Sequence, residues 1–229
     1  MTITSKSLFS NMTPDEKVEK AKKIMERILH DAVNIVYLDA MSRHMMEIKL
    51  DSAAPYQRDS FELLLRSVLS QLLLCQTRIM DEKKEDRASL MTLFDLVQDE
   101  NVVAKLSEGR DNDAVSRKIN SAKSSYVTIR SLSNFVQIKN YRNKFLAHSL
   151  VIDNDHKVLI KELGKFLNPL IDIVHDLNVA INQSCSGLQP VSEEFAQNLP
   201  DRQFQSERSK ADRKAKSFWR HFPWSVGSV

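Results

Sequence analysis

Apolar residues recur at three- and four-residue steps along most of the chain, the spacing of one face of an α-helix. Val18, Ala21, Met25, Ile28, Ala32, Ile35, Val36 and Leu38 form the first such stripe. It begins behind Thr13-Pro14-Asp15-Glu16, where threonine serves as N-cap, proline takes the first helical position and glutamate returns to the cap three residues on. This stripe predicts a long helix reaching about Leu50, stopped by the stretch from Asp51 to Pro55.

Phe61, Leu64, Leu65, Val68, Leu69, Leu72, Cys75 and Ile79 mark a second helix over about Tyr56 to Met80, with a broad apolar face. The charged run Asp81 to Arg87 then separates it from two short helical segments. One lies near Ser89 to Asp99, with Ser89 as cap, and the other near Glu100 to Ser107, closed by Gly109.

Val115, Ile119, Ala122, Tyr126, Ile129, Leu132, Phe135, Val136 and Leu146 keep one helical phase, predicting a third long helix from Asp113 to about Leu150 with an interruption near Asn140. The last stripe, Leu159, Leu163, Phe166, Leu167, Leu170, Val174, Leu177 and Ile181, is in phase on both sides of Pro169. It therefore predicts one helix, near Lys157 to Gln183, kinked by the proline.

The expected fold is all-α: an up-and-down bundle of four long helices with a short-helix insertion. The apolar period vanishes after Gly187, which places the bundle at residues 13–186 and a C-terminal tail at 187–229. From Asp201 the tail carries seven Lys/Arg against three acids and ends in the aromatics Phe218, Trp219, Phe222 and Trp224. Charge plus stacking suits RNA or an acidic partner; docking of the aromatics on the bundle is the other reading, and the preferred one.

Composition removes several classes of function. With 4 glycines in 229 residues, no glycine-rich loop exists to cradle a phosphate, which excludes Walker and Rossmann nucleotide sites and the nucleophile elbow of triad hydrolases. None of the 6 histidines stands three or four residues from another histidine or a cysteine, and the stretch Asp153 to His156 lacks the glycine and downstream glutamate of a calcium loop. Neither a metal nor a cofactor is expected. The 2 cysteines suit a reducing compartment, and the apolar run from Leu63 to Cys75, broken by Arg66, Ser67, Ser70 and Gln71, is too short to span a bilayer. Met1 to Met12 does not read as a secretory signal. The expectation is a cytoplasmic protein without membrane contact, and at a net charge of +3 any nucleic-acid site must be local.

One stretch, Tyr141-Arg-Asn-Lys-Phe-Leu-Ala-His148, carries candidate chemistry. At about 100° per residue, Asn143 falls on the apolar side, Tyr141, Lys144 and His148 share the opposite side, and Arg142 lies at the edge, about 120° from His148. By spacing alone a solvated face with a snorkelling arginine is the default. If Arg142 and His148 cooperate, either the helix is distorted here or the pair works across an interface with a second copy.

Arg142-Asn143-Lys144, then Ala147-His148, resembles the signature of the HEPN superfamily, the higher eukaryotes and prokaryotes nucleotide-binding helical domains. Arg78-Ile79-Met80-Asp81, a charged loop and Ser89-Leu90 are similar to its AbiU-like abortive-infection branch, as is the five-residue gap between Arg142 and His148, one longer than the commonest HEPN spacing. The resemblance covers about Thr13 to Gln183. It implies metal-independent RNA cleavage in a homodimer cleft, with His148 as general base or acid, Arg142 on the phosphate and Asn143 holding either of them. Lys144 and Tyr141 are weaker substrate-binding candidates. A surface ion pair, Arg78 with Asp81, is the preferred reading of those two residues. Such a protein would act as a toxin or phage-defence effector and admits a neutralising antitoxin protein as partner. The alternative is a non-catalytic dimeric module that binds a nucleotide, RNA or a protein.

Overall fold

The structure, a computed structural model, describes residues 7–46, 48, 54–132, 135, 138–140, 142 and 156–183, with side chains in the last segment from Leu163 onward. Six helices follow one another among these residues: α1 (Pro14–Met46), α2 (Pro55–Ile79), α3 (Leu90–Leu96), α4 (Glu100–Leu106), α5 (Asn112–Ser131) and α6 (His156–Asn182). Residues 135, 138–140 and 142 are helical as well, and no strand occurs among the described residues. This is the all-α bundle that the periodicity predicts.

Side-chain caps start four of the helices. Thr13 and Glu16 make a reciprocal pair: the Glu16 carboxylate accepts the Thr13 N–H at 2.8 Å, and Thr13 Oγ1 accepts the Glu16 N–H at 3.3 Å. Ser89 caps α3 by accepting the Thr92 N–H at 3.3 Å, Asp99 caps α4 and Asp111 caps α5. Gly109 adopts φ +77°, the left-handed conformation that lets the chain turn between α4 and α5.

Burial of the apolar stripes holds the helices together. α1 packs against α2, α3, α4 and α6, and α5 packs on α6, so α1 runs through the middle of the bundle. Met25, Ile28, Leu73, Leu93, Tyr126, Phe166 and Leu177 meet in one large apolar cluster to which all six helices contribute. Phe9 joins it, its N-terminal segment tied down at Asp95, which accepts from Ser7 Oγ at 3.0 Å and the Leu8 N–H at 2.8 Å. Pro169 lies inside α6, which continues through it as a single helix.

Two expectations need correction. The third long helix does not run on to about Asn140: α5 ends at Ser131, and Leu132 is extended at ψ 132°. Ser131 Oγ donates to the Thr128 carbonyl at 2.7 Å and Thr128 Oγ1 to the Ser124 carbonyl at 3.1 Å, side-chain bonds that compete with the helical ladder. A fresh turn then starts, with the Phe135 N–H on the Leu132 carbonyl at 2.9 Å. Leu132, counted in the apolar stripe, is consequently exposed. The first helix also stops sooner than about Leu50, at Met46.

Candidate functional site

The end of α2 and the helical segment carrying Arg142 build a site together. α2 closes at Met80, whose carbonyl accepts the Tyr126 hydroxyl at 3.1 Å. Tyr126 is 1% exposed, and burial pushes its phenol up to about 12, so it stays a neutral donor to that carbonyl. Arg130 lies over the Tyr126 and Phe135 rings at 6.0 and 5.7 Å, linking α5 to the segment beyond its break.

Two acids follow at the helix end. Asp81 pairs with Arg87 at 2.7 Å and with Arg142 at 3.5 Å, one carboxylate oxygen to each. Next to it Glu82 pairs with Lys139 at 2.5 Å, a contact that holds the Glu82 carboxyl below its usual range. Lys139 and Arg142 are three residues apart and so sit on one side of a helical turn, facing two consecutive acids. Between the elements runs a narrow crevice of about 10 Å³, lined by Thr77, Met80, Asp81, Phe135, Ile138, Lys139 and Arg142.

The Arg142 side chain is 19% exposed, neither buried in the core nor free in water. Tyr141, Asn143, Lys144 and His148 lie outside the described residues, and so does the angle between Arg142 and His148.

Arg78 corrects a further expectation. It does not pair with Asp81 but forks onto Asp31 of α1, through Nε at 3.1 Å and Nη2 at 2.5 Å. The reason lies in the helix end: Met80 has already left the helix, at φ −91° and ψ 7°, so Asp81 is no longer a helical neighbour of Arg78. The same guanidinium touches Cys75 Sγ at 3.3 Å, and the buried Cys75 thiol is pushed up by its burial, which makes it a poor nucleophile.

On the other side of Asp81 an open groove of about 820 Å³ runs between α1, α2 and the charged loop. Arg27, His30, Asp31, Arg78, Asp86 and Arg87 are among its walls, so both signs of charge face it. Asp81 borders crevice and groove alike. The sequence reading missed Arg87, Asp31, Glu82 and Lys139. The legible signal was the pair of consecutive acids, Asp81 and Glu82, matching two cations spaced by one helical turn.

Among the described residues no group of three or more His, Cys, Asp and Glu could hold a metal ion, and no helix is long and apolar enough to cross a membrane. No curated protein and no solved structure matches the chain. A family model described as AbiU2, of the HEPN type, matches residues 18–201, most of the chain and past the expected end of the resemblance at Gln183. Both stretches that suggested the AbiU-like branch lie within that match and meet at the Asp81–Arg142 pair, and the chain belongs to the HEPN AbiU2 family.

Proposed function

We propose that the protein is a metal-independent endoribonuclease of an abortive-infection or toxin system, acting as a homodimer whose two motif copies form one composite site. The observation that carries this reading is the placement of Arg142: within a family tied to abortive infection, the motif arginine is held at the rim of a crevice rather than left on a solvated face.

The reaction follows from the chemistry of the residues. The ribose 2′-oxygen attacks the adjacent phosphorus while His148 takes its proton, an imidazole being suited to proton transfer near neutral pH. The bond to the 5′-oxygen breaks, a proton returns to that oxygen, and a 2′,3′-cyclic phosphate and a 5′-hydroxyl remain. Arg142 offers parallel donors to the non-bridging oxygens as charge gathers on them. Asn143 orients the arginine or the phosphate, Lys144 adds a positive charge and Tyr141 stacks on a base. The bundle, residues 13–186, carries the reaction, and the basic tail at 187–229 is an appendage to it; the family match crosses that boundary and ends at 201.

The test is cleavage of RNA by the purified protein in EDTA. Wild type cuts, while His148→Ala and Arg142→Ala each lose roughly 10²-fold or more in rate with the fold retained. Cleavage abolished by EDTA, or undiminished on RNA with a 2′-deoxy sugar at the cut site, rules the mechanism out. The ion pair of Arg142 with Asp81 also suits an arginine that only ties helices together, which favours a non-catalytic binding module as the second reading. Under that reading both alanine variants still arrest growth when induced in a bacterial host.

A further inference from the structure

Asp81 is fixed by contacts that do not involve Arg142. Its N–H donates to the Arg78 carbonyl at 3.3 Å, its Oδ1 accepts the Glu82 N–H at 3.1 Å, and its Oδ2 accepts from Arg87 at 2.7 Å. The preceding Met80 is anchored by buried Tyr126, and the Arg142-bearing segment is drawn to the same place by Lys139 on Glu82. A carboxylate fixed in this way is a rigid stop for a long cationic side chain.

We propose that Asp81 is a positioning residue for Arg142: clamped by Arg87, its carboxylate sets the guanidinium where it meets the phosphate being cleaved. This rests on the endoribonuclease reading above. A long arginine side chain loses rotamer freedom when held in one geometry, and a partner that orders it in advance removes that cost from the transition state. Asp81 meets the two guanidiniums through different carboxylate oxygens, so holding Arg142 does not require releasing Arg87.

The experiment is RNA cleavage by the full chain, with kcat, KM and melting temperature measured for each variant. Asp81→Asn keeps the shape of the side chain and removes its charge; kcat is expected to fall about 10- to 100-fold with KM nearly unchanged, the effect of a misplaced catalytic group. Arg87→Gln, which loosens Asp81 without touching Arg142, lowers kcat by a smaller factor, and Asp81→Glu restores part of the loss. In the Arg142→Ala background, Asp81→Asn changes the residual single-turnover rate by less than about twofold, since the two residues act as one unit. Lys139→Gln, which removes the other tie of the Arg142 segment but leaves the Asp81 carboxylate in place, lowers kcat by a smaller factor than Asp81→Asn.

Full kcat in Asp81→Asn and Arg87→Gln beside an inactive Arg142→Ala overturns the inference while leaving the endoribonuclease reading intact. So does a gain of activity in Asp81→Asn, or a loss of kcat in Lys139→Gln equal to that in Asp81→Asn. Wild-type cleavage by Arg142→Ala instead removes the reading of Arg142 itself, and this inference with it.

Discussion

Thr13 and Glu16 show at residue scale how a local motif turns into stability. The cap supplies acceptors for N–H groups that the first turn of α1 cannot satisfy internally, so Thr13→Ala is expected to cost roughly 1 kcal/mol in urea denaturation. Hydrogen bonds from the Thr13 N–H and hydroxyl hold the Glu16 carboxyl below its ordinary 4.5. A carboxylate depressed in the folded state adds stability above pH 4.5 and loses it as the pH falls through the folded value. The difference between wild type and Glu16→Ala should therefore be present at pH 7 and shrink on acidification below pH 4.5. A difference that stays constant down to pH 3 would show that the charge plays no part. This motif could be read from the sequence because all its members lie within one turn. The Asp81–Arg142 pair could not, since its partners belong to different elements and only the fold brings them together. Arg78 misled for a related reason: the expected i,i+3 pair assumed a helix that in fact ends before Asp81.

At the scale of elements, apolar spacing located the helices but not the break after α5. Ile129, Leu132 and Phe135 stay in phase across it, so periodicity passes over a residue whose backbone has left the helix; the signal was the cluster of hydroxyl side chains at Ser124, Thr128 and Ser131. Periodicity is equally silent on how helix ends are tied to each other, and Arg110 is the clearest instance. Its guanidinium donates to the Leu106 carbonyl at the end of α4, and to the Val179 and Ala180 carbonyls near the end of α6 at 2.9 and 2.7 Å. A cation placed there satisfies carbonyls that the last helical turns leave unpaired and opposes the negative ends of two helix dipoles. Arg110→Ala is expected to lower stability by about 1.5–3 kcal/mol, the range for hydrogen bonds from a charged donor, seen as a reduced urea midpoint at unchanged slope. Arg110→Lys keeps the charge without the fork and should fall between the two. An unchanged midpoint in Arg110→Ala would mean that water replaces the guanidinium without loss.

Across the whole molecule the stripes on α1 and α2 look uniform, yet they are divided between two cores. The large cluster takes Ala21 to Ile35 from α1 and Leu72 to Met80 from the end of α2, together with the other helices. A smaller one gathers Met45, Phe61 and Val68, with Leu38, Met41, Leu64 and Leu65 against them, and its described members come from α1 and α2 alone. Nothing in a one-dimensional period tells a residue which neighbours will cover it, so this division appears only when the chain is folded. It bears on function because the Arg142 site is built on the end of α2 that lies in the large core. Contacts confined to one hairpin open at lower free energy than those shared by the whole bundle. Phe61→Ala should accordingly speed amide hydrogen exchange over residues 38–46 and 61–68 while leaving α6 protected and the Asp81 site intact. Phe166→Ala, in the large core, should cost about 3–5 kcal/mol and lower protection throughout, the end of α2 included. If Phe61→Ala reduces protection in α6 as much as Phe166→Ala does, the two clusters unfold as one unit, and the site is no better insulated than the far end of the hairpin.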